Sequence, residues 1–157
     1  MTGGRLLAAK DFIGTERFML TYGDGVSNID IPSLIEAHKK SGKYVTLTAV
    51  RPSGRFGALD INQEGTVNSF KEKQEGDNSW INGGFFVMEP IVFDYLTNGA
   101  DTVLERKPLE TLASENQLHA YKHSDFWQAM DTLRDKNELA ELWQKGTKPW
   151  ALWGNGF

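Results

Sequence analysis

The chain has 157 residues, of which 39% are apolar and 24% charged, with a formal charge of −4 and no cysteine. That length suits one domain with a real core, and the acidic balance excludes a general nucleic-acid binder, which needs a basic surface. The absence of cysteine excludes a disulfide framework and a thiolate metal site, and no apolar run of about 18 residues offers a membrane-spanning helix.

The opening, MTGGRLLAAKDF, lacks the long apolar run of a secretory signal, so a cytoplasmic location is expected. Residues 4–10 have helical composition. Arg17 to Tyr22 reads as a buried strand, apolar on both faces, that ends in the turn GDG. Asp30 reads as a helix N-cap, with Pro32 in the first turn. Ile31, Leu34, Ile35 and His38 recur at helical spacing, and Gly42 supplies the stop. Residues 43–50 are β-branched and of strand length. Strand, turn, helix, strand is the grammar of a βαβ unit and a parallel sheet. Three short strands are then expected in GALDI, TVNSFKEK and WINGGFFVM, and helices in IVFDYL and PLETLASE. QLHAYKH reads as an edge strand. A last helix is expected over 132–145, with Leu133, Leu139, Leu142 and Trp143 on its apolar side. The fold class is therefore α/β, a mixed and mostly parallel sheet flanked by helices. A glycine-rich phosphate loop usually opens such a fold, and none precedes the first strand here.

Asp24 stands where the first strand ends, between Gly23 and Gly25, whose lack of side chains lets a ligand approach the backbone. The alternative is a plain Asp-Gly turn. Asp131 immediately precedes the last helix, where a carboxylate gains from the positive helix end. Either it or Thr132 could instead be only the cap. Two such carboxylates could share one Mg²⁺, which needs few protein ligands when substrate phosphates supply the rest. Glu72 and Lys73 could face a sugar phosphate, or form a solvated surface pair. Asn82, Gly83 and Gly84 interrupt an apolar strand, which calls for a bulge or a close ligand approach. Gly3, Gly4 and Arg5 are read as preceding the first helix, where amides and a guanidinium bind anions, or as a frayed end. His38 falls on an apolar helix face and reads as a packed histidine.

TGGR, TYGDGV, GRFGALDI, INGGFF and FWQAMDTLRDK occur in an order that resembles the sugar-1-phosphate nucleotidyltransferases, in particular their glucose-1-phosphate cytidylyltransferase branch. The resemblance covers nearly the whole chain. It implies a Rossmann-like nucleotidyltransferase sheet of which residues 1–157 are the C-terminal portion, with the N-terminal nucleotide-binding portion missing. It implies that Asp24 and Asp131 are the catalytic and metal-binding aspartates, holding Mg²⁺. Arg5, Gly23, Glu72, Lys73, Asn82 and Gly83 then match substrate-binding positions. The substrates implied are CTP and glucose 1-phosphate, joined into CDP-glucose for dideoxysugar and surface-polysaccharide synthesis by a homo-oligomer. Two positions depart from the pattern, Gln74 and Ala129, each where the family has proline. Without the upstream loop this chain alone is expected to be inactive. The other readings are a non-catalytic sugar-nucleotide-binding or oligomerisation module, and a transferase for another base or sugar.

Overall fold

The computed structural model describes residues 1–51, 58–61, 67–71 and 80–152. Its main sheet has four strands in the order β1 (Phe18–Thr21), β6 (Ile81–Met88), β3 (Val45–Val50), β7 (Leu118–His123). β6 runs antiparallel to both β1 and β3, while β3 pairs in parallel with β7. β1, β3 and β7 therefore point the same way, and β6 alone opposes them. The expected βαβ unit is present, with β6 inserted between its two strands. Two short ribbons complete the strands: β2 (Gly25–Ser27) with β8 (Trp127–Ala129), and β4 (Ala58–Ile61) with β5 (Val67–Lys71).

β1 corrects one expectation. It lies at the edge of the described sheet, and its burial alternates rather than covering both faces. Phe18 and Leu20 pack on the core while Met19 stays 45% exposed. An apolar run cannot by itself tell a doubly covered strand from one with a single covered face.

The helix signals act locally as read. α3 (Ile31–Ser41) starts at Asp30, whose carboxylate accepts from Ser33 N–H at 3.1 Å and Ser33 O–H at 2.7 Å, and it stops at Gly42 with φ of 61°. α1 (Thr2–Ala8) and α2 (Lys10–Ile13) fill the N-terminal stretch. Gly3 and Gly4 thus lie inside α1 rather than before it. They are small because α1 packs on the 99–102 segment. A Cβ on Gly4 would stand 2.1 Å from the carbonyl oxygen of Ala100, and Gly4 N–H already donates to Thr102 O at 3.1 Å. The segment Pro90–Tyr95 forms 3₁₀ rather than α turns, followed by a short 3₁₀ turn at Gly99–Asp101 and by α4 (Lys107–Ser114). α5 (Leu133–Gln144) buries Leu139, but Leu133 and Trp143 are 70% and 56% exposed, so its expected apolar side is only partly covered. Trp143 instead lies under the Lys148 ammonium, 3.8 Å from the ring centre.

The larger core joins Val45, Phe86 and Met88 of the sheet to Leu6, Val92, Leu104, Leu109 and Leu112. Each such side chain is worth about 1.5–3 kcal/mol of burial. The opposite face carries Val87 against Ile29 and Leu34. No helix among the described residues is long and apolar enough to cross a membrane.

Under α3, His38 is 1% exposed. Its Nδ1 lies 2.9 Å from Thr46 Oγ1 and its Nε2 3.1 Å from Glu89 Oε1. A carboxylate only accepts, so Nε2 carries the proton and Nδ1 accepts from the threonine hydroxyl. Burial depresses the His38 pKa, with Arg17 adding to the push and Glu89 opposing it. Burial raises Glu89, but hydrogen bonds from Arg17 and His38 outweigh it and leave that group below its usual value. Both shifts have one sign. An unfolded His38 takes up its proton near pH 6.5 while the folded one resists. Stability is thus fully present above that pH, and is lost as pH falls toward and through the folded value. Glu89 extends the loss below its unfolded value of 4.5. In urea titrations from pH 8 to 5, His38→Gln is expected to flatten the upper part of this decline, whose slope cannot exceed about 1.4 kcal/mol per pH unit for one proton. An equally steep decline in the variant would exclude His38 as the source.

Candidate active site at the carboxyl ends of the parallel strands

Asp24 follows β1 at the end of the sheet where β3 and β7 also finish. The β2–β8 ribbon starts beside it, pairing Gly25 with Ala129 and Ser27 with Trp127. One step further along, Met130 N–H donates to the Asp24 carbonyl at 2.7 Å. Asp131 is the next residue. Two carboxylates far apart in sequence are thereby fastened into one neighbourhood by backbone hydrogen bonds. Both are exposed. Asp131 is not the cap of α5. That role belongs to Thr132, whose hydroxyl accepts from Asp135 N–H while the Asp135 carboxylate accepts from Thr132 N–H, a reciprocal capping box. The Asp131 carboxylate is left available to a ligand.

The glycine interruption in β6 is a bulge. Between the pairs Leu47–Phe86 and Ala49–Asn82, β3 advances two residues and β6 four. Gly83 is packed so closely that a Cβ would meet Val50 Cγ1 at 2.9 Å and Thr48 O at 3.1 Å. Gly84 has φ of 78° and lies on the Tyr22 ring. The Asn82 side chain holds this turn, accepting from Gly84 N–H at 2.9 Å and donating to Tyr22 Oη at 3.3 Å. Trp127 Nε1 donates to Gly83 O at 2.8 Å, which ties the β2–β8 ribbon to the bulge.

Tyr22 extends the network. Its hydroxyl donates to one carboxylate oxygen of Glu105, and Thr2 Oγ1 donates to the other at 2.7 Å. Burial and the Glu105 charge raise the Tyr22 pKa far above its usual value, with Asp24 adding a little, so the phenol stays protonated. Burial raises Glu105, yet the Tyr22 and Thr2 hydrogen bonds prevail and hold it below the usual carboxylate range. Alongside runs a groove of about 550 Å³ whose lining includes Arg5, Tyr22, Gly23, Asp24 and Glu105. Nothing lies within 4 Å of where a Gly23 Cβ would be, so the backbone there is open to an approaching group.

Of the residues singled out in the sequence, Arg5, Gly23 and Asp24 share the groove. Asp131 adjoins Asp24, and Asn82 with Gly83 adjoins Tyr22. Glu72 and Lys73 lie outside the described residues. Tyr22, Glu105, Thr2 and Trp127 were not foreseen. Tyr22 stood in TYGDG and could have been noticed, whereas nothing in the sequence marks Glu105. Ser27 and His123 stand 3.2 Å apart, but the serine donates its one proton to Phe126 O at 2.7 Å. That pair closes the β7–β8 connection and does not make a nucleophile.

The sequence pattern of the family described as "Nucleotidyl transferase" matches residues 2–143. The chain belongs to that family. Among nucleotidyl transferases it is 54% identical over 154 residues to the glucose-1-phosphate cytidylyltransferase of Salmonella typhi, covering 98% of this chain and 59% of that protein. It is 28% identical over 139 residues to the mannose-1-phosphate guanylyltransferase of Mycobacterium tuberculosis, covering 85% and 39%. Among solved structures, HddC of Yersinia pseudotuberculosis superposes with a TM-score of 0.63 at 23% identity, over 90% of this chain and 62% of that one. This likeness concerns the fold. The chain spans about 59% of the length of the Salmonella relative.

Proposed function

We propose that this chain forms the metal-binding and sugar-phosphate-facing part of a cytoplasmic glucose-1-phosphate cytidylyltransferase, which converts CTP and glucose 1-phosphate into CDP-glucose and pyrophosphate. One observation carries the reading: the Met130–Asp24 backbone bond sets Asp131 beside Asp24 at the carboxyl ends of parallel strands. The choice of base and sugar rests on the 54% identity to the Salmonella protein.

The residues fit a magnesium ion. Mg²⁺ takes hard oxygen ligands and is commonly bound by one or two carboxylates together with substrate phosphates. Asp24 and Asp131 supply two exposed carboxylates. Among the described residues no third histidine or acidic side chain joins them into a larger cluster. When bound, the ion would offset charge on the triphosphate. The rest of the chemistry asks little of the protein in covalent terms. A phosphate oxygen of glucose 1-phosphate, already ionised near pH 7, forms a bond to the α-phosphorus of CTP as the bond to pyrophosphate breaks. No serine or histidine nucleophile is required. The chain's task is to hold two anions in line. Arg5, on the groove beside Asp24, is placed to meet a phosphate with its fork of donors.

A chimera tests the reading. In it, the matching stretch of the Salmonella typhi protein is replaced by this chain. It is expected to form CDP-glucose from CTP, with UTP and GTP much poorer. A folded chimera without turnover, where the parent turns over, would sink the assignment. The place of β1 at the edge of the sheet, among the described residues, also supports association into an oligomer, since strand edges invite pairing. Sedimentation velocity on this chain is expected to give a species larger than 17.6 kDa, and a monomer would contradict it.

A further inference from the structure

At the end of the sheet that carries Asp24, two neighbouring strands finish in cations. Arg51 follows the last residue of β3, and Lys122 is next to last in β7. The ladders pair Ala49 with Lys122 on one side and with Asn82 on the other, and pair Val50 with Ile81. Side chains alternate along a strand. The face that carries Val45, Leu47 and Leu118 into the larger core therefore carries Ala49, Arg51 and Lys122 at its far end. Tyr22 packs on that same core, so the cations and the Tyr22–Glu105 network share one face.

Trp80, just before β6, has both cations against its ring. The Arg51 guanidinium carbon lies 4.3 Å from the centre of the indole and the Lys122 ammonium 5.6 Å. The two charges are no farther apart than those distances laid end to end, about one Debye length in 0.1 M salt, ~10 Å. Among the described residues neither makes an ion pair with a carboxylate. The ring attracts each cation, but two like charges on one ring repel each other, and an anion between them removes that repulsion. Arg51 offers a planar fork that matches phosphate oxygens, and Lys122 offers a compact point charge. Both are exposed, and β7 is an edge strand, so a ligand can reach them.

We propose that Arg51 and Lys122, arrayed on Trp80 at the carboxyl ends of β3 and β7, form a subsite for a phosphate group. The subsite shares no residue with the Asp24–Asp131 pair. It rests on this geometry and not on which base or sugar the protein uses. The phosphate could be inorganic, or belong to a sugar phosphate or a nucleotide.

The test is a titration of the ¹⁵N-labelled chain with sodium phosphate, glucose 1-phosphate and CTP, each against sodium chloride at equal ionic strength. The reporter is the Trp80 indole N–H, assigned by its loss in Trp80→Phe. A saturable shift is expected with at least one phosphate species and none with chloride. The apparent affinity should weaken about ten-fold in Arg51→Gln and again in Lys122→Gln, in line with charge-assisted contacts. Arg51→Lys, which keeps the charge but loses the fork, should fall between. A preference among the three phosphates identifies the source of the group. The proposal is overturned by the absence of a saturable shift with all three. An unchanged affinity in a folded double variant, Arg51→Gln with Lys122→Gln, overturns it equally.

Discussion

Asp131→Ala is expected to lower CDP-glucose formation by about 10²–10³-fold in the chimera, the scale of losing one preorganised electrostatic contact to the transition state. The urea midpoint of the 157-residue chain should not move. The two expectations separate because of where the residue sits. Asp131 is exposed and is not the helix cap, so no core contact and no cap is lost with its carboxylate. Its position one residue beyond the Met130–Asp24 backbone bond puts it in the neighbourhood of Asp24 and outside the capping box. Thr132→Ala is the contrasting control. Removing that hydroxyl breaks the capping box and should cost about 1 kcal/mol of stability. Turnover that persists in Asp131→Ala, with magnesium the only divalent ion, would remove this residue from the site.

Gly84→Ala carries the second large effect, on the fold and the site together. Its backbone has φ of 78°, which an L side chain adopts only under strain, and the new Cβ would stand 2.7 Å from Tyr22 Cδ2. Tyr22 Cγ and Cβ are nearly as close, at 3.2 and 3.3 Å, so the ring cannot yield by moving only its far end. Either the bulge opens or the Tyr22 ring leaves its place, which breaks its hydrogen bond to Glu105. A loss of roughly 1–3 kcal/mol is expected, read as a lowered urea midpoint. Gly42→Ala isolates the backbone part, because Gly42 has a similar φ of 61° and nothing within 4 Å of an added Cβ. Equal losses at the two positions would mean that the contact with Tyr22 contributes nothing.

His38 was legible as a packed histidine from helical spacing alone, since Leu34 and His38 fall on one face of α3. Its partners were not, because Thr46 and Glu89 arrive from β3 and from the end of β6.

By itself the sequence determined what depends on near neighbours. Asp30 with Pro32 and Gly42 set the bounds of α3, Thr132 with Asp135 set the start of α5, and the β-branched run set β3. These are interactions across a few residues, so the local chain contains all the physics. The motifs around Asp24 and Asp131 were also legible, and the family match over residues 2–143 agrees with them. Tertiary structure decided what depends on pairing between distant strands. It placed β6 between β1 and β3, put β1 at an edge, and turned Asn82–Gly83–Gly84 into a bulge on Tyr22. It moved Gly3 and Gly4 into α1, where close approach to the 99–102 segment explains them. It brought Glu105, in the turn before α4, to Tyr22, and it brought Arg51 and Lys122 to Trp80 through ladders whose register no local pattern encodes. A strand's apolar pattern says which face is buried but not which strand lies beside it, and each of these contacts depends on the neighbour.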